Sequence, residues 1–132
     1  WAFKKNTNDS RESASIFVAV NLLTSGAKLK IYDPMVSAKK VIIDITLLLE
    51  DKGFNKQQVL KLLEKVTISR TVKHCIQEAK AIVITTEWEE FKNNIFILNQ
   101  LKSSKTTHLF DGRNISSIPS TQNTYHIGNI KK

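Results

Sequence analysis

Cysteine occurs once, proline twice and glycine four times in 132 residues, and each scarcity excludes something. A single thiol forms neither an internal disulfide nor a cysteine metal cluster, which fits a reducing compartment. No internal repeat or low-complexity segment interrupts the chain. Apolar runs are short. None approaches the ~18 residues that span a bilayer, and the start lacks the basic-then-apolar layout of a signal peptide. The expectation is a single soluble, cytoplasmic domain over residues 1–132, of a length able to bury roughly two-thirds of its unfolded surface.

What the chain has in excess is positive charge, formally +8. Its distribution argues against nucleic acid as the partner. Lysines lie in nearly every segment, often beside acids as in Glu50-Asp51-Lys52 and Glu64-Lys65, and the terminal cluster is only Lys131-Lys132. Tracking a phosphate backbone needs cations on one face with aromatic platforms between them, and no such run occurs.

Periodicity predicts alternating helices and strands. Asp9 with Glu12 three residues on reads as a capping-box variant opening a helix whose buried side is Ile16, Val20 and Leu23, with Gly26 as its stop. Ala27 to Tyr32 reads as a strand ended by Asp33-Pro34, with Lys28 and Lys30 suggesting an outer place in the sheet. Residues 37–52 form a helix, Asn55 caps another, Val66 to Ser69 is a strand, and a short helix covers Val72 to Glu78. The β-branched run Ala81 to Thr85 predicts a strand buried on both faces, followed by a helix from Trp88 to Leu101 with Phe91, Ile95, Ile97 and Leu98 inward. Strands at Thr107 to Phe110 and Thr124 to Ile127 flank a polar loop, Ser116 to Asn123. The alternation argues for an α/β fold, a doubly wound, Rossmann-like, mainly parallel sheet with helices on both faces.

Lys4 to Arg11, Asp33, Thr86-Glu87-Trp88 and Asp111-Gly112-Arg113 would each fall at the carboxyl edge of that sheet. In open α/β sheets this edge holds the ligand crevice. Arg113 follows a glycine that permits a tight turn, and its planar fork suits a pyrophosphate or a sugar diol; a salt bridge to Asp111 or Glu87 is the competing reading. Arg11, placed by this reading in the first helical turn beside the positive dipole end, calls for a carboxylate or phosphate. Trp88 reads as packing, with its indole N–H satisfied locally, and Asp33-Pro34 as a simple turn. His74 and Cys75 diverge by about 100° on a helix and form no nucleophile–base pair or chelate. His108 and His126 read as packing residues, so neither a metal site nor a catalytic group is expected on this chain.

Phe3-Lys4-Lys5-Asn6-Thr7, Asp9, and Arg11-Glu12-Ser13, then Ile31-Tyr32-Asp33-Pro34, Ala81 to Trp88 and Phe110-Asp111-Gly112-Arg113 agree in order and spacing with a known pattern. Together they resemble the carboxy-terminal, UDP-binding domain of the UDP-glucose/GDP-mannose dehydrogenase family, UDP-glucose 6-dehydrogenases in particular. The resemblance implies that Phe3, Lys4 and Arg113 bind the UDP-sugar and that Arg11 reaches NAD held by a neighbouring domain. It implies a parent enzyme, a dimer or higher oligomer, that oxidises UDP-glucose to UDP-glucuronate in two NAD-dependent steps through a cysteine thioester. The family's NAD domain, catalytic cysteine loop and long central helix are not in this sequence, and a first strand would lie just before Trp1. A sibling nucleotide-sugar dehydrogenase domain, or a free-standing nucleotide-binding module, are the other readings.

Overall fold

The computed structural model describes residues 1–115 and 123–127. The predicted loop 116–123 therefore lies, but for Asn123, outside the described residues.

Helix α1, Ala14–Thr24, starts where Ser13 turns its hydroxyl onto the Ser15 N–H. This corrects the expected start. Asp9 does not cap the helix, because the residues before it close a loop of their own: Phe3 N–H donates to the Asp9 carbonyl at 2.8 Å, and Glu12 takes a left-handed φ of 57°. The helix ends as its glycine foretells, Gly26 at φ 97° letting Ala27 N–H reach back to the Leu22 carbonyl. Strand β1, Leu29–Ile31, leads to α2, Ala38–Asp51, capped by Ser37. Helix α3, Lys56–Leu63, opens on a complete capping box between Asn55 and Gln58. Strand β2, Val66–Ile68, and helix α4, Val72–Ile76, follow as expected.

Strand β3, Ala81–Ile84, α5, Ile95–Ser103, β4, His108–Asp111, and β5, Thr124–His126, complete the described elements. The helix predicted from Trp88 to Leu101 is in two pieces. A 3-10 turn spans Glu89–Phe91, Asn93 takes φ 59°, and Asn94 caps α5 afresh by accepting from the Phe96 and Ile97 N–H groups. The break turns Ile95 outward to 57% exposure, while Ile97 stays buried.

Every strand pair among the described residues is parallel. β1 pairs with β2, and β3, β4 and β5 pair in that order, giving two small sheets. One core gathers α1, α2 and α3 around Val20, Leu23, Ile45 and Leu49 with Trp1 and Trp88; the other gathers α4 and α5 against Ile82, Ile84 and Leu109. The expectation of a doubly buried β3 is overturned. Ile82 and Ile84 are buried, but Val83 on the opposite face is 42% exposed, as is Phe110 beside it on β4. The helices over the β3–β5 sheet pack on its other side, and on this side Phe110 and Tyr125 stack at 4.9 Å between ring centres. No helix among the described residues is long and apolar enough to cross a membrane.

Candidate functional site

The site is built where β1, β3 and β4 end. Asp33, two residues beyond β1, is its main tie: one carboxylate oxygen accepts from the Trp1 amino nitrogen at 2.8 Å, the Ala2 N–H at 2.9 Å and the Trp88 indole N–H at 3.0 Å. Its other oxygen accepts from the Met35 and Val36 amides, which makes the expected turn. Thr86, two residues beyond β3, donates to the Ala2 carbonyl at 2.8 Å. The opening residues are thus fastened to the ends of two strands from different sheets.

A second buried carboxylate fixes the loop from below. Asp44 on α2 accepts from the Trp1 indole N–H, the Ser10 hydroxyl and the Lys40 ammonium. Neither hub was found from sequence. Asp44 sits in an amphipathic helix like any polar residue, and only its partners, up to 43 positions away, reveal it. The Trp88 indole N–H is satisfied, but by Asp33, 55 positions away, rather than locally as expected.

On this frame the predicted ligand residues converge. Asp111 accepts the Arg113 N–H, fixing the turn through Gly112, whose N–H donates to the Ile84 carbonyl at 2.9 Å. Arg113 then reaches across to the opening loop, its Nη2 donating to the Phe3 carbonyl at 2.8 Å. Its Nε lies 2.8 Å from Glu87 Oε2, so of the two competing ion pairs it is Glu87 that forms. The Lys5 N–H approaches Glu87 Oε1 at 3.4 Å. Phe3 and Lys4 are exposed on the same rim, Phe3 at 51%.

Arg11 stands apart from this cluster. It precedes the cap of α1 rather than lying in its first turn, and it closes on Asp9 with contacts of 2.7 to 3.2 Å. That pairing holds the exposed Asp9 carboxyl down to about 2, chiefly through the side-chain hydrogen bond. The Arg11 side chain is still 84% exposed. Cys75 is half-buried, its thiol donating to the Lys30 carbonyl at 3.3 Å, and burial pushes its pKa up. A thiol so placed is a poor nucleophile. His126 Nδ1 lies 3.5 Å from Asp111, and His108 stacks on Tyr125, both in packing roles.

Parallel strands with helices packed on them and a polar rim at the strands' carboxyl ends define a Rossmann-like α/β domain. Residues 1–118 match the family model described as UDP-glucose/GDP-mannose dehydrogenase family, UDP binding domain. The chain belongs to that family. It is 40% identical over 116 residues to UDP-glucose 6-dehydrogenase of Bos taurus, covering 87% of this chain and 22% of the relative. It is 39% identical over 115 residues to that of Gallus gallus, with the same coverage, and 35% identical over 133 residues to that of Drosophila melanogaster, covering all of this chain and 27% of the relative. The chain thus spans about a quarter or less of the length of these relatives.

Proposed function

We propose that the chain holds the UDP moiety of UDP-glucose for an NAD-dependent UDP-glucose 6-dehydrogenase, and supplies no nucleophile of its own. The observation that carries this is the meeting of Phe3 and Arg113, 110 positions apart, at the carboxyl edge of the strands. Arg113 presents a charged planar donor, and such groups are suited to phosphate oxygens. Lys4 on the same rim adds a mobile positive charge. Phe3 offers an exposed ring for the base or sugar.

NAD would supply the hydride acceptor in the parent enzyme. The residues of this chain that could reach it fit in one respect: Arg11 keeps an exposed guanidinium, with Asp9 on one side. The rest of the cofactor would be held by the parent's own NAD-binding domain, and the parent would work as a homo-oligomer in the cytoplasm. The chain's contribution to rate is grip. Binding energy gathered on the UDP end orients the sugar for chemistry done elsewhere.

Calorimetric titration tests this reading. UDP-glucose should bind the chain, with UDP preferred to GDP, and Arg113→Ala should weaken binding by about 1.5–3 kcal/mol, the range for a lost charge-assisted contact. Unchanged affinity in both Arg113→Ala and Lys4→Ala would show that the site is elsewhere.

A further inference from the structure

Glu87 touches both walls of the proposed crevice, and charge alone gives it no reason to be there. A carboxylate beside an anion site repels the ligand it borders. Its contacts suggest what offsets that repulsion. Oε1 faces the Lys5 N–H of the opening loop at 3.4 Å, and Oε2 lies 2.8 Å from Arg113 Nε on the turn after β4. The Nε–H is not aimed at Oε2, so the pair is ionic without a hydrogen bond, and Oε2 is buried with no hydrogen-bond partner among the described residues. With Nε facing Glu87 and Nη2 donating to the Phe3 carbonyl, two corners of the guanidinium are held. The Nη1 corner makes no hydrogen bond or ion pair among the described residues.

We propose that Glu87 is a positioning residue: it holds the Arg113 guanidinium and the residue 3–5 loop in one arrangement, with Nη1 turned to a phosphate oxygen of the ligand. The inference rests on the reading of Arg113 as a ligand contact. An arginine side chain free in several rotamers must be ordered when the ligand binds, and an arginine already held avoids most of that loss. Ordering one such side chain corresponds to roughly a three- to tenfold change in affinity. Positioning and repulsion therefore act in opposite directions, and the sign of the mutational effect separates them.

The test is titration of the chain with UDP in a double-mutant cycle. Glu87→Ala should weaken UDP binding roughly three- to tenfold, and Glu87→Gln, which keeps an acceptor for Lys5 N–H but loses the charge, should fall between it and the unaltered chain. In an Arg113→Ala background, Glu87→Ala should have little further effect. Equal weakening in both backgrounds, together with a lowered thermal midpoint, would make Glu87 merely structural and overturn the proposal. Tighter binding in Glu87→Ala would also overturn it, showing that the carboxylate competes with the ligand for Arg113. An Arg113→Ala variant that binds UDP as the unaltered chain does would instead sink the site reading beneath it. If Glu87→Ala does not fold, the Glu87→Gln comparison in the two backgrounds decides alone.

Discussion

Asp33 ties together more of the site than any residue that faces a ligand. Its side chain is fully buried, and its partners include the Trp1 amino nitrogen and the Trp88 indole. Replacing it with alanine leaves those buried donors unpaired, so Asp33→Ala should lower stability by about 3 kcal/mol in a denaturant titration. Acid should act through the second hub: Asp44 has a folded pKa held below the ordinary carboxylate value, because bonds from Lys40, Ser10 and Trp1 outweigh its burial. A lowered folded pKa contributes stability that is present above the unfolded value near 4 and lost as pH falls through the folded one. The thermal midpoint should therefore decline from about pH 4 downward, and less steeply in Asp44→Asn. From sequence, Asp33 reads best as a turn before proline at the strand's carboxyl end. Its turn contacts are local, to Met35 and Val36, while the contact to Trp88 is 55 positions away.

Arg11 belongs to the same scale. Its position calls for a carboxylate or phosphate, and the structure supplies the carboxylate of Asp9. It is exposed, so little stability depends on it. In the parent enzyme Arg11→Ala should raise the NAD Michaelis constant and leave UDP-glucose binding nearly intact. A lowered melting temperature with an unchanged NAD constant would remove Arg11 from the cofactor's path.

At the scale of elements, the turn after β4 is the critical joint. A Cβ on Gly112 would stand 3.1 Å from the Ile84 carbonyl oxygen, a backbone atom of β3 with little room to move. Gly112→Ala should therefore push the turn away from β3, costing about 1–2 kcal/mol and weakening UDP binding through displacement of Arg113. Loss of stability with undiminished affinity would separate the turn from the site. Helix caps and stops were legible here wherever the signal was local, as with Asn55 and Gln58 or Gly26. They misled where tertiary contacts intervened. Asp9 and Glu12 carry a plausible capping pattern, but the loop closed by Phe3 and Asp9 moves the start of α1 to Ser13. The β3 run looked doubly buried because Val83 and Ile82 are equally apolar, and no periodicity reveals which face lacks a covering helix.

For the molecule as a whole, the order of the strands points to motifs at strand carboxyl ends, and the contacts of Arg113 agree with that, although those strands form two sheets rather than the one expected. Incubated with UDP-glucose and NAD, the chain alone should produce no NADH over hours, since its thiol is half-buried with a raised pKa. A signal that vanishes in Cys75→Ser would refute this.

The most direct test of the central claim is calorimetric titration of UDP-glucose into the chain and into Arg113→Ala. The account predicts saturable binding to the unaltered chain, weakened roughly ten- to a hundredfold or more by the substitution, with the thermal midpoint little changed. Binding of equal strength in both, at matched stability, would contradict the assignment of the UDP moiety to this edge.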